Sequence, residues 1–169
     1  YFVEWFIRLF INGKNAYQLD NSFNGSIKTM EAMVRLSGSK NGLGRCGVVF
    51  GGVYTEENGE NYFNFEFDAN RKPRLYWKAG ASATAIDWVV DYSLTAWGWY
   101  HVAFVRDTVA DKIYCYVNGE VVGTRDGAGA DIPTPTAKHW VGRDGRDGSS
   151  TGSSFLMGVL NYVGISSTA

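Results

Sequence analysis

The chain has 169 residues, enough to bury a core as one domain without staples. Its formal net charge is −1, so no basic field exists to gather phosphates, and nucleic acid is excluded as an expected partner. No stretch reaches the roughly 18 apolar residues of a membrane span, so membrane insertion is not expected. Glycine is abundant at 21 and proline scarce at 3, a balance that indicates many turns between strands.

The predicted elements begin with residues 2–11, a strand too short and too charged, through Glu4 and Arg8, to be a signal peptide. Asn12-Gly13 follows as a turn, and residues 16–19 read as the strand that answers it. In residues 26–36, Met30, Ala32, Val34 and Leu36 share the more apolar face. Residues 45–53 are almost continuously apolar and read as a central strand. Residues 61–68 alternate cleanly, with Phe63, Phe65 and Phe67 expected inward and Tyr62, Asn64, Glu66 and Asp68 outward. Residues 74–78 pair back across a turn at 70–73, and a further strand is expected at 85–90.

Residues 100–106 alternate Val102 and Phe104 against Ala103 and Val105. Residues 112–118 then alternate Ile113, Cys115 and Val117 against Tyr114 and Tyr116. Asn118-Gly119 supplies the two positive-φ positions of a type I′ hairpin into residues 120–124. Strands at 138–141 and 155–166 complete the series, and only short helical turns, at 40–43 or 91–96, interrupt it. About a dozen short strands with turn residues between them predict an all-β fold, a sandwich or a barrel. Both ends fall in strand-like sequence, so residues 1–169 are expected to be a single domain taken from a longer protein.

Several blocks, in this order, carry a resemblance: SIKTMEAMVRL, WYHVAFVRD, KIYCYVNGEVV, WVGRD and SFLMGVLNYVGIS. Together they resemble the laminin G-like jelly-roll domains of the concanavalin A-like lectin/glucanase superfamily. The matching positions are Trp99, His101, Val102, Ala103, Val105, Arg106 and Asp107, then Tyr116, Val117, Asn118 and Gly119, then Gly142, and finally Phe155, Gly158, Leu160, Val163 and Ile165. Met33 stands where such domains often carry Trp, and Asn161 where they often carry Asp. The resemblance implies a two-sheet antiparallel β-sandwich of jelly-roll type, places Trp99 in the core and makes His101 structural. It also implies adhesion or carbohydrate targeting by a non-catalytic module of a larger extracellular, cell-surface or virion-associated protein. The partner is then a glycan or polysaccharide, or a surface protein, and a purely structural or protein-binding domain is the second reading.

Glu66 and Asp68 share a strand face, but jelly-roll glucanases place a further glutamate downstream, and Ala69, Asn70, Arg71 and Lys72 follow instead. A Ser–His–acid triad has only His101 and His139 to draw on and no Gly-x-Ser-x-Gly elbow. Zinc lacks a ligand set. Calcium takes hard oxygen ligands, and Asp144 and Asp147, with Asp126 and Asp131 nearby, form the one acidic loop cluster that could hold it; plain solvated turns are the alternative. Cys46 and Cys115 are either buried thiols or a single disulfide.

Carbohydrate recognition is the leading expectation. Sugars present C–H faces that stack on flat rings, and hydroxyls that need fixed polar partners. The stretch from Tyr76 to Tyr100 is rich in both, and its expected ligand residues are Trp88, Trp97, Tyr92, Asp87 and Asp91, with Trp140 added from farther along. The alternative for each tryptophan is a place in the core.

Overall fold

Period-two alternation becomes two packed sheets. The computed structural model describes residues 3–5, 9–12, 17–19, 27–53, 62–78, 86–127, 139–143 and 155–167. Their strands are β1 (Val3–Trp5), β2 (Leu9–Asn12), β3 (Tyr17–Leu19), β4 (Thr29–Leu36), β5 (Gly47–Val53), β6 (Tyr62–Phe67) and β7 (Pro73–Lys78). They continue as β8 (Ile86–Val89), β9 (Trp99–Asp107), β10 (Lys112–Val117), β11 (Glu120–Asp126), β12 (His139–Val141) and β13 (Met157–Ser166). The described residues contain no helix; only turns occur at 42–43 and 96–97.

A seven-stranded sheet runs β1-β13-β4-β9-β10-β11, with β2 also paired to β13. A six-stranded sheet runs β3-β12-β5-β6-β7-β8. Every strand pair is antiparallel. This is the predicted jelly-roll sandwich. One expectation fails at its start: β2 joins β13 in one sheet, whereas β3 joins β12 in the other. The two are not a hairpin, because each finds its backbone partner in a late strand rather than in its neighbour.

The core lies between the inner faces. Met30, Ala32, Val34 and Leu36 of β4 meet Phe63, Phe65 and Phe67 of β6 and Leu75 and Trp77 of β7. Phe104 bridges the sheets, edge-on to Phe65 at 5.2 Å and to Trp88 at 5.6 Å. Arg106 is buried beside them; its Nη1 donates to the Ile27 carbonyl at 2.8 Å and its guanidinium lies over Trp77. A buried cation needs such donor and ring contacts to offset its desolvation.

Two glycines have visible reasons. Asn118 and Gly119 hold φ of 51° and 85°, the type I′ turn expected between β10 and β11. At the head of β5, Gly47 has φ 102°, and a Cβ there would fall 2.1 Å from the Phe155 carbonyl oxygen. No side chain fits that approach.

Cys46 and Cys115 are both free and buried, so the disulfide alternative is excluded. Burial pushes the Cys115 thiol up to about 12, and burial likewise raises Cys46. Thiolate is the nucleophile, so both should be inert in the native state. A thiol-reactive probe at pH 8 should label neither cysteine of the folded protein and both in denaturant, read by mass spectrometry. Rapid native labelling of Cys115 would contradict its position in the core.

Candidate carbohydrate-binding face

The outer face of the six-stranded sheet is polar, and its centre is buried. Asn64 and Glu66 alternate with the three core phenylalanines of β6, so they point away from the core, yet they are 0% and 1% exposed. The predicted outward direction is correct, yet neither side chain meets solvent. Neighbouring strands continue this face in register, because cross-strand partners on one side of a sheet align. One rung reads Trp140, Gly51, Asn64, Tyr76, Asp87 across β12, β5, β6, β7 and β8. The adjacent rung places Val48, Glu66, Arg74 and Val89 side by side.

Charge is ordered along this floor. Glu66 Oε1 accepts from Arg45 Nη1 at 3.1 Å and from Arg74 Nη1 at 2.5 Å. Arg74 forks onto Asp87 through Nε and Nη2, both at 2.8 Å. The hydrogen bonds from Arg74 hold the Asp87 carboxyl below the usual range, and in return Asp87 raises Arg74. The Arg74 guanidinium also lies 5.2 Å from the Tyr76 ring centroid, and Arg143 lies 4.4 Å from that of Trp140. Such stacking fixes ring orientation. The side chain of Arg45 is positioned by its loop: Asn41 accepts from Arg45 N at 3.1 Å and donates to the Phe155 carbonyl at 3.0 Å.

The predicted ligand residues therefore separate. Asp87 and Trp140 belong to the polar face just described. Trp88, one residue from Asp87, turns inward onto Phe104 and packs against the core. Strand alternation makes that unavoidable. Asp91 and Tyr92 are exposed on the loop after β8, where Lys72 pairs with Asp91 at 2.5 Å. Trp97 lies at the end of the seven-stranded sheet, 58% exposed. Trp99 is 42% exposed on that sheet's outer surface, which corrects its expected core position. Arg45, Asn64, Arg74 and the partnering of Glu66 were missed; the outward polar positions Asn64 and Glu66 of β6 were the available signal.

Other candidate chemistry is placed as follows. Asp144, Asp147 and Asp131 lie outside the described residues, and so does the side chain of His139. Asp126 pairs with Lys112 at 2.5 Å. Among the described residues, no group of three or more His, Cys, Asp or Glu could hold a metal ion. Asp68 Oδ1 accepts from the backbone N–H of Asn70 and Lys72, each at 2.8 Å, so it is occupied in the turn after β6. His101 Nε2 lies 2.8 Å from Glu31 Oε2, and Tyr162 donates to Oε1 at 2.7 Å; the third member of this cluster is a tyrosine, not a serine.

Comparison with known proteins agrees with this architecture. The profile of a family described as the concanavalin A-like lectin/glucanases superfamily matches residues 12–169. The CBM40 of the Ruminococcus gnavus IT-sialidase, solved bound to α2,3-sialyllactose, superposes with TM-score 0.71 at 14% identity, over 96% of this chain and 90% of that one. The NanB sialidase of Streptococcus pneumoniae gives TM-score 0.73 at 16% identity, over 94% of this chain but 25% of that one. Mouse laminin α1 domains LG4-5 give 0.65 at 12% identity, over 94% and 41%. This chain thus spans about a quarter of the sialidase, and at these identities the likeness shows the fold alone. A search of curated proteins found no sequence match.

Proposed function

The chain belongs to the concanavalin A-like lectin/glucanase superfamily, and from that premise we propose that it is a non-catalytic glycan-binding module. The carrying observation is the rung Trp140–Gly51–Asn64–Tyr76–Asp87 on the outer face of the six-stranded sheet. It sets an aromatic ring on either side of a glycine and a buried amide. Three interstrand steps separate Trp140 from Tyr76, roughly 14 Å, which suits a short oligosaccharide. The rings stack on sugar C–H faces, while Asp87 and the half-exposed Arg45 take hydroxyls.

The described charges of this face, Arg45, Arg74 and Arg143 against Glu66 and Asp87, favour an acidic glycan over a neutral one. Sialyllactose on a similarly folded CBM40 supports the same choice. Hydrolysis is disfavoured. It needs a carboxyl group ready to protonate a leaving oxygen, and Glu66 is sealed between two guanidinium groups while Asp87 is held ionised by Arg74. We place the module in a larger secreted, surface or virion protein, where it directs that protein to glycans. A calcium ion on the loop acids Asp144 and Asp147 remains part of this proposal, and retention measured with and without chelator tests it.

Affinity electrophoresis through immobilised sialylated and asialo glycans checks the reading. Wild type should be retarded more by the sialylated matrix. Trp140→Ala and Tyr76→Ala should each lose at least tenfold in affinity, with unchanged circular dichroism. Undiminished retention of both folded variants would remove the site from this face.

A further inference from the structure

The seven-stranded sheet carries a second exposed aromatic group with its own cation. Arg35 of β4 and Trp99 of β9 are direct cross-strand partners on its outer face. Trp97, in the loop entering β9, donates its backbone N–H to the Leu36 carbonyl at 2.8 Å. Its φ is 65°, a left-handed backbone rarely adopted by a bulky residue. That conformation sets the Trp97 ring beside the Arg35 guanidinium, 5.3 Å from ring centroid to carbon. Trp97 and Trp99 are nevertheless 58% and 42% exposed.

Arg35 also differs from five other described arginines. Arg45 and Arg74 donate to Glu66, Arg71 to the Leu94 carbonyl, Arg106 to Ile27 and Arg125 to the Asp87 carbonyl. Arg35 donates to no oxygen among the described residues, and its Nε is buried without an acceptor. A guanidinium held flat by an aromatic ring presents its two Nη groups to a bidentate carboxylate. Exposed indoles on either side offer a flat apolar surface next to that charge.

We infer that Arg35, Trp97 and Trp99 form a second ligand site, on the opposite sheet from the first, for a carboxylate-bearing pyranose. The carboxylate seats on the Arg35 fork, and the sugar ring lies against the indoles. The inference stands on this sheet alone and survives loss of the face around Trp140. Two sites on one module would raise retention on a dense acidic glycan through effective concentration rather than new contacts.

Nitrogen–proton correlation spectra resolve the indole N–H signals and localise binding. Titration with methyl glucuronide should shift the Trp97 and Trp99 signals saturably, and methyl glucoside should not. Arg35→Met should weaken the glucuronide effect at least tenfold. Arg35→Lys, which keeps charge but loses the fork, should restore only part of it. Trp140→Ala should leave both shifts intact, which separates failure here from failure of the first site. Equal shifts with glucoside would overturn the inference, as would an undiminished response in Arg35→Met or no response in wild type. A stronger response to a peptide with a free terminal carboxylate than to glucuronide would assign the patch to a protein partner and overturn it as well.

Discussion

Glu66→Ala should cost about 3–5 kcal/mol of folding stability, because removing one partner of a buried ionic group strands the others. Glu66 is 1% exposed and holds Arg45 and Arg74 together. For a domain of this size the loss corresponds to a fall of roughly 6–20 °C in Tm. The effect comes from Arg45 losing its anion and from Arg74 keeping Asp87 alone. A triple replacement of Arg45, Glu66 and Arg74 by apolar residues of similar volume should therefore recover most of the stability. It should not recover glycan retention, since Arg74 also orients Asp87 and Tyr76. Urea unfolding beside affinity electrophoresis reads both quantities. A Glu66→Ala variant within about 1 kcal/mol of wild type, the range of an exposed ion pair, would mean that the network is solvated and loosely held.

This network shows where sequence reasoning reached and where it stopped. The direction of Glu66 was legible, because three phenylalanines at alternate positions fix which side of β6 faces the core. Its environment was not. A period-two pattern tells one face from the other but does not say whether the polar face is covered. The same limit separated the aromatic stretch between Tyr76 and Tyr100 into three places. The alternation that sends Asp87 outward sends Trp88 inward, and the chain then crosses from the six-stranded to the seven-stranded sheet before Trp97. Resemblance located the fold through turn and core positions such as Asn118-Gly119 and Val102. It misplaced Trp99, whose outward direction follows from Val102 and Phe104 facing in. Asn12-Gly13 misled for a different reason: a turn dipeptide specifies a local reversal, while β2 and β3 are held by the distant strands β13 and β12.

Phe104→Ala is expected to have an effect of similar size through a different mechanism. The ring is 1% exposed and is the described aromatic that meets both Phe65 and Trp88 of the facing sheet. Truncation removes the transfer energy of the ring and leaves a cavity that stiff sheets cannot close, about 3–5 kcal/mol in all. Total stability for such domains is about 5–15 kcal/mol, so the variant should sit near the limit of folding at 37 °C. Trp88→Ala, at a half-buried ring, should lose less than Phe104→Ala. The double variant should lose less than the sum, by about 0.5–1.5 kcal/mol, because the edge-on contact is counted in both single changes. Chemical denaturation of the four proteins completes this cycle. The outcome bears directly on function. If Trp88 were a ligand platform, Trp88→Ala would abolish glycan retention at unchanged stability, and its coupling to Phe104 would vanish. With its ring against Phe104, the expected result is the reverse: reduced stability, measurable coupling, and retention at low temperature that still depends on Trp140 and Tyr76.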